Sequence, residues 1–360
     1  MAEILLITSD YPPRLGGVAR YYQGLVDNFP GLQVLTTIKG DKANNVWRWN
    51  WWWFGWPHWL PLLWLIPYAK LKSGARYLAA GQVLPIGTAL LLTRLAFGWP
   101  YLVFVHGFDI NLARRNAWKR WLLSRILKHA LGVVANSDFT KQLALSAGAT
   151  LKQTTVVYPC PSLSQPAEAK VAALKERYNL AGRLVVLSVA RLVARKGIDD
   201  VLSVWPQVQA SLPNLTYVIV GGGPERGELE ALAKVAGSNV VFVGEVGDEE
   251  LAAWYQLSDL FVLTPKADKV DVEGFGFVYL EAQAAGRPVI GSRVGGVPEA
   301  VGQAGRLVSS QAELVSALTD LLSQADTRRH LGEAGRLRIK QKFNWPNQVS
   351  NLKQYIYGAR

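Results

Sequence analysis

Cysteine and histidine are scarce in this 360-residue chain. The one cysteine, Cys160, has no partner for an intramolecular disulfide and cannot supply a Cys-based metal cluster. A reducing compartment is the natural reading. The four histidines, His58, His106, His129 and His330, are scattered, and no two stand at metal-ligand spacing. Charge is also thin, at 18% of residues against 50% hydrophobic, which excludes a disordered, solvating polymer. Acidic residues are scarcest in the first half, where residues 1–160 carry 6 against 17 basic; residues 161–360 carry 21 and 22. Nearly all of the formal +12 therefore belongs to the N-terminal half. The start carries an acid at Glu3 and only four aliphatics, Ile4–Ile7, before polar residues. That is too short and wrongly flanked for a secretory signal.

What is abundant is the alternation of short aliphatic runs with helical stretches. Ile4–Ile7, Val34–Thr37, Tyr101–Val105 and Gly132–Val134 read as buried strands, with helices over 18–28 and from Asp138 to about Ala147. A helix near 167–178 precedes a second series: strands Leu184–Val189, Leu215–Val220, Val240–Val243, Leu260–Leu263 and Val289–Gly291, with helices near 197–210, 225–236, 248–257 and 277–285. Near-continuous aliphatic strands separated by helices imply parallel sheets covered on both faces. The expected fold class is α/β, with two Rossmann-like doubly wound domains, residues 1–160 and 161 onward. The boundary falls at Tyr158-Pro159-Cys160-Pro161, where prolines interrupt the chain.

Segment 47–69 breaks this pattern. Eight of the fourteen tryptophans lie between Trp47 and Trp64, and no formal charge occurs in the 21 positions between Arg48 and Lys70. The length suits a membrane span, but Pro57, Pro61 and Pro67 oppose a regular helix. A span here would also place strands of one sheet on opposite sides of a bilayer. An interfacial segment fits better, with Trp51, Trp52, Trp53, Trp56 and Trp59 at the headgroups and Arg48, Lys70, Lys72 and Arg76 on anionic lipid. The alternative is that these aromatics line a groove or fill a core.

A nicotinamide or flavin enzyme on such domains needs a glycine fingerprint. None follows Ile4–Ile7, and Gly221-Gly222-Gly223-Pro224-Glu225-Arg226 fails because Arg226 stands where the third glycine belongs. The segment that carries chemistry runs from Asp271 to Ala282. Glu273 and Glu281 are separated by seven residues, with Gly274, Phe275, Gly276 and Phe277 between them. A helix beginning near Gly276 offers free N–H groups to a diphosphate. Eight residues of near-helical rise is about 12 Å, so one carboxylate can serve each end of a nucleotide sugar. A helix cap or a solvated face is the bland alternative for either glutamate.

This element resembles the E-x7-E signature of retaining glycosyltransferases of the GT-B fold, family 4, and the likeness covers almost the whole chain. It includes Gly16-Gly17, His106-Gly107-Phe108-Asp109, Asn136-Ser137, Ser188-Val189-Ala190-Arg191 with Lys196-Gly197, Val220 to Pro224, and Gly295-Gly296-Val297-Pro298-Glu299. The resemblance implies two domains facing a central cleft, with 161–342 reading the donor, 1–160 reading the acceptor, and 343–360 returning to the first. It implies that Arg191 and Lys196 grip the donor diphosphate, as two cations beside a leaving phosphate should. Glu273 is matched to the donor sugar and Glu281 to the ribose. Gly276 and Phe277 are matched as amide donors, Gly16 as the close approach of the first loop, and Gly222 and Val246, with Asp248 beside it, as further donor contacts. His106 is matched to the reacting sugar. Asp109 either positions hydroxyls or makes a local turn.

The implied reaction is metal-independent transfer with retention, Asp271-Val272-Glu273 notwithstanding its likeness to a D-x-D metal motif, and no cofactor is expected. The motif is especially similar to that of phosphatidylinositol-mannoside mannosyltransferases, which points to GDP-mannose. UDP-glucose, UDP-galactose and UDP-N-acetylglucosamine enzymes share most of the framework. The basic, Trp-rich first half points to a lipid or glycolipid acceptor and a cytoplasmic, peripheral enzyme on the inner face of the cell membrane. Segment 47–69 and Tyr158-Pro159-Cys160-Pro161 depart from the family pattern and leave the acceptor open. Nucleic acid is disfavoured, because the basic residues are dispersed and the tryptophan cluster has almost no interleaved charge.

Overall fold

Strands covered on both faces of a sheet are largely apolar, and the aliphatic runs of this chain fit that pattern, with small hydroxyl residues such as Thr8, Thr36 and Ser188 as the buried exceptions. The computed structural model describes residues 3–14, 16–41, 45–51, 55–237, 239–268 and 272–358. Among these, seven parallel strands form one sheet: β1 (Ile4–Thr8), β2 (Leu32–Thr36), β3 (Val46–Arg48), β4 (Tyr77–Ala80), β5 (Tyr101–Val105), β6 (Gly132–Ala135) and β7 (Thr154–Val156), in the order β3-β2-β1-β4-β5-β6-β7. Six more form a second: β8 (Leu184–Val189), β9 (Leu215–Val220), β10 (Val240–Gly244), β11 (Leu260–Leu263), β12 (Val289–Ser292) and β13 (Gly305–Val308), in the order β10-β9-β8-β11-β12-β13. In each sheet the first strand lies inside, and the strand order reverses beside it.

Alternation along the strands of the first sheet divides its core in two. Leu5, Ile7, Leu78, Ala80, Val103 and Val105 face one layer, which also holds Trp51, Leu62 and Ile66. Ile4, Leu6, Ala79, Leu102 and Phe104 face the other, with Tyr21, Tyr22 and Leu25 of the helix Gly17–Asn28. The chain divides into two units. One comprises the residues up to Cys160 together with those from Trp345 onward, and the other comprises Pro161–Asn344.

The last helix, Trp345–Gly358, completes the first unit by covering that second layer with Trp345, Val349, Leu352 and Ile356. Gln348 Oε1 accepts from Tyr158 N at 2.9 Å, and Tyr355 Oη donates to Gln153 O at 2.7 Å. The Trp345 indole lies where a side chain on Gly24 would begin, 2.1 Å from an ideal Cβ.

Segment 47–69 is not an appendage. It starts within edge strand β3 and runs into the helix Leu62–Ser73, whose 12 residues span about 18 Å, short of a bilayer core. No helix among the described residues is long and apolar enough to cross a membrane.

Alanine at Gly24 drives a methyl group into the Trp345 ring. We expect a loss of about 1–3 kcal/mol, read as a lower melting temperature of the first unit; an unchanged melt contradicts this packing.

Candidate functional site

In an open parallel sheet, ligands bind outside the carboxyl ends of the strands where the strand order reverses. In the second unit that point lies between β8 and β11, paired through Leu260 with Val186 and Phe261 with Leu187. The chain leaves β8 through Arg191, makes a single tight turn at Ala194–Lys196, and enters the helix Ile198–Ser211 at Gly197. Gly197 has φ +68°, and a Cβ there would sit 1.9 Å from the carbonyl oxygen of Thr264, just past β11. Only glycine permits this approach. Thr264 Oγ1 donates to Gly197 O at 2.8 Å, and Lys266 N donates to Arg195 O at 2.8 Å, so the two loops are tied together.

Across this junction Lys196 Nζ lies 2.5 Å and Arg195 Nη1 3.1 Å from the same oxygen, Oε2, of Glu273. All three side chains are largely withdrawn from solvent. Burial pushes the Glu273 pKa up, but Lys196 first and Arg195 second outweigh it and hold the carboxyl below its ordinary range. Glu273 is therefore an ionised carboxylate bound to two cations. Its loop is fastened by Gly296 N, which donates to Glu273 O at 2.9 Å.

Beyond it, Gly276, with φ +92°, opens the helix Phe277–Ala284, and Phe277 is half-buried in its first turn. Phe275 turns its side chain inward onto Phe343, with ring centroids 5.8 Å apart. Glu281 is 3% exposed and accepts from Tyr255 Oη at 2.9 Å. Gly222 follows β9 with Glu245 close by, and half-buried Val246 follows β10, with Asp248 exposed in the next helix.

The pairing adds a residue to those expected. Arg191 is exposed and makes no side-chain hydrogen bond among the described residues, whereas Arg195, not singled out from sequence, joins Lys196 on Glu273. The signal was present as a second cation beside Lys196. Its direction depends on the tight turn that carries both.

The first unit has a polar cluster at the matching edge of its own sheet. His106 directly follows β5, and its Nε2 lies 2.7 Å from Tyr22 Oη, which donates to Gly81 O at 2.6 Å. Burial depresses the His106 pKa from 6.5 to about 4, so the ring is neutral at pH 7. Asp109 Oδ1 accepts from the backbone N–H of His106 and of Gly107, both at 3.1 Å, and burial raises its pKa against those bonds. The local-turn reading of Asp109 thus accounts for one of its oxygens. After β4, Gln82 Nε2 donates to Asp10 Oδ2 at 2.7 Å and to Thr8 Oγ1 at 3.2 Å, linking this edge to β1. Gly16 and Gly17 are exposed at the start of the helix Gly17–Asn28.

The tryptophans do not form one surface. Trp51 is 0% exposed in the core, so its expected membrane contact is wrong: its ring packs with Leu62 and Ile66 beneath the sheet. Trp59 is half-buried against the same core, Trp56 is 88% exposed, and Trp52 and Trp53 lie outside the described residues. A mixed aromatic and cationic patch does exist. Trp49 meets Tyr68, Lys72 lies over Trp47 and Tyr68, and Lys70 lies over Trp99, which stacks on Phe97. Trp118 and Trp121, not singled out from sequence, also stack at 5.0 Å, both exposed, with Arg125 over Trp121. Among the described residues, no group of three or more His, Cys, Asp or Glu is placed to hold a metal ion.

Residues 15–165 match the family described as Glycosyltransferase Family 4, and residues 172–338 the family described as Glycosyl transferases group 1. The GDP-mannose-dependent alpha-(1-6)-phosphatidylinositol monomannoside mannosyltransferase of Mycolicibacterium smegmatis is 29% identical over 387 residues, covering 99% of each chain. Its namesake in Mycobacterium tuberculosis is 28% identical over 401 residues, again covering 99% of each. Among solved structures, Anabaena HepE in complex with UDP and glucose aligns with a TM-score of 0.82 at 19% identity, over 99% of this chain and 100% of that one. Sucrose-phosphate synthase from Thermosynechococcus elongatus aligns with a TM-score of 0.82 at 23% identity over all of both chains. These two structures establish the fold.

The depressed pKa of His106 has a measurable consequence. Between pH 6.5 and about 4 the unfolded chain binds a proton at His106 that the folded chain refuses, so stability falls as pH drops through that window. The His106→Gln variant should lack this contribution, of order 1–3 kcal/mol, in a comparison of denaturant stabilities at pH 7 and pH 4.5. An identical pH dependence in the two proteins would show that His106 is not buried in its neutral form.

Proposed function

The chain belongs to glycosyltransferase family 4 and has the GT-B fold of two parallel α/β units, and from that premise we propose that it moves mannose from GDP-mannose to a hydroxyl of a lipid or glycolipid acceptor. The observation that carries this reading is the Lys196–Glu273–Arg195 cluster at the switch point of the second sheet. A nucleotide sugar brings a diphosphate for cations and hydroxyls for a carboxylate, and this cluster offers both within one hydrogen-bonded group.

The proposed sequence begins with the donor displacing Glu273 from Lys196. Lys196 and Arg191 then take the diphosphate, with the amides at Gly276 and Phe277 alongside, while Glu273, still held by Arg195, turns to the sugar. Glu281 and Val246 take the nucleoside end. The bond from the anomeric carbon to the diphosphate oxygen breaks, and charge grows on the leaving group where the cations lie. The acceptor oxygen bonds to the anomeric carbon on the face the diphosphate leaves, and its proton passes to a phosphate oxygen of the departing GDP. Retention follows. The side chains named place positive charge at the leaving group, so the proposal includes turnover without metal.

GDP-mannose is preferred over UDP-sugars because the full-length relatives carry it in their names at 28–29% identity over 99% of this chain. Their names also support the lipid acceptor. The patch around Trp47, Trp49, Tyr68 and Lys72 and the Trp118–Trp121 stack support docking on an anionic leaflet, proposed as the inner face of the cell membrane.

Two experiments test this reading. In a screen of GDP- and UDP-sugars with chelator present, GDP-mannose should release nucleoside diphosphate fastest, and Lys196→Ala or Glu273→Gln should lower turnover by roughly 10²–10³-fold. Turnover near wild type in either variant, or strict dependence on added Mg²⁺ or Mn²⁺, would falsify the assignment. In flotation assays, vesicles rich in anionic lipid should retain the chain and zwitterionic vesicles should not, with retention falling as salt rises. Equal retention by both kinds of vesicle would remove the electrostatic part of the proposal.

A further inference from the structure

Tyr22 is fully buried, and its hydroxyl has two neighbours at hydrogen-bond distance: the carbonyl of Gly81 at 2.6 Å and Nε2 of His106 at 2.7 Å. A phenol has one proton, and a carbonyl oxygen accepts only. At 2.6 Å, two oxygens without a proton between them would repel, so the Tyr22 proton lies on the Gly81 bond. The contact to His106 must then be an Nε2–H donating to Tyr22 Oη. A neutral imidazole carries one ring proton, so Nδ1 is left bare.

The surroundings hold this arrangement. Tyr21 and Tyr22 flank the ring with centroids 5.5 and 5.4 Å away, nearly perpendicular at 80° and 83°. Asp109 binds the backbone N–H of His106 and does not bond the ring. Nδ1 has no hydrogen-bond partner among the described residues. The depressed pKa of the ring agrees with a neutral imidazole.

We propose that Tyr22 is a positioning residue that fixes His106 as the Nε2–H tautomer and so presents Nδ1 as an acceptor-only site for a substrate hydroxyl. Such a nitrogen takes a hydrogen bond from an O–H group. It has nothing to donate to a phosphate or carbonyl oxygen, so it selects a sugar hydroxyl against the anionic parts of the same donor. The tautomer stands on the geometry alone, whereas its use on a sugar rests on the glycosyltransferase reading above.

The test is ¹⁵N NMR of the full chain labelled at its four histidines, with the His106 signals assigned by their loss in His106→Gln. At neutral pH, the wild-type chain should show a protonated-type shift at Nε2 and an unprotonated-type shift at Nδ1. Tyr22→Phe should move both toward the values of a mixed-tautomer imidazole and lower kcat about tenfold. Addition of GDP-mannose should move the wild-type Nδ1 signal in the direction of an accepted hydrogen bond. A proton on Nδ1 in the wild-type chain, or on both nitrogens, overturns the proposal even where Tyr22→Phe does not fold. Wild-type tautomer and turnover together in Tyr22→Phe also overturn it. The expected tautomer in a chain that turns over no nucleotide sugar supports the role of Tyr22 and sinks the functional reading instead.

Discussion

One carboxylate oxygen of Glu273 accepts from both Lys196 and Arg195, and the second unit is organised so that these three groups meet. The cations come from the turn after β8, and the carboxylate from the segment between β11 and the helix Phe277–Ala284. Bringing them together requires the backbone of Gly197 to press against Thr264, and requires the Glu273 loop to be fastened to Gly296. Charge-assisted hydrogen bonds of this kind are about twice as strong as neutral ones, and partial burial keeps them from being screened. An ionised carboxylate withdrawn from water is stable only with such partners, so the site is held in tension between desolvation and pairing. A ligand that supplies its own anion to Lys196 and its own hydroxyls to Glu273 relieves the need for that pairing.

The first unit handles the same edge of its sheet differently. At the end of β5 it places a neutral imidazole, enclosed by two tyrosines, in place of an ion cluster. Burial disfavours the charged form of the ring, and the Tyr22 hydroxyl consumes the one nitrogen it faces. One unit thus presents charge suited to a diphosphate, and the other presents a hydrogen-bond acceptor suited to a hydroxyl. Under the proposed function, the ion cluster of one unit takes the diphosphate and the imidazole of the other takes a hydroxyl.

What was legible in the sequence follows burial. Leu184–Val189, Leu215–Val220 and Leu260–Leu263 coincide with β8, β9 and β11 residue for residue, because interior parallel strands are nearly continuous apolar runs, broken here only by buried residues such as Ser188 and Thr216. β3, β7 and β13 went unread: they lie at sheet edges, are three or four residues long, and carry partly exposed positions. β4 is interior, but Tyr77-Leu78-Ala79-Ala80 is short and half alanine, and its burial comes from β1 and β5 on either side. The tryptophan run was opaque for another reason. A stretch without charge has no polar phase, so nothing in it separated Trp51, which fills the core, from Trp56, which does not. Glu273 and Lys196 were legible as candidates through their motifs. Arg195 and Tyr22 were not, since their importance lies in what a turn and a helix aim them at.

The central claim is that Glu273 and a donor diphosphate compete for Lys196. Calorimetric titration of GDP, which has the diphosphate but no sugar, into the wild-type chain and into Glu273→Gln tests it most directly. Removing the competing carboxylate should tighten GDP binding several-fold, in line with the modest strength of a partly exposed ion pair. Equal or weaker binding of GDP by the variant would contradict the account.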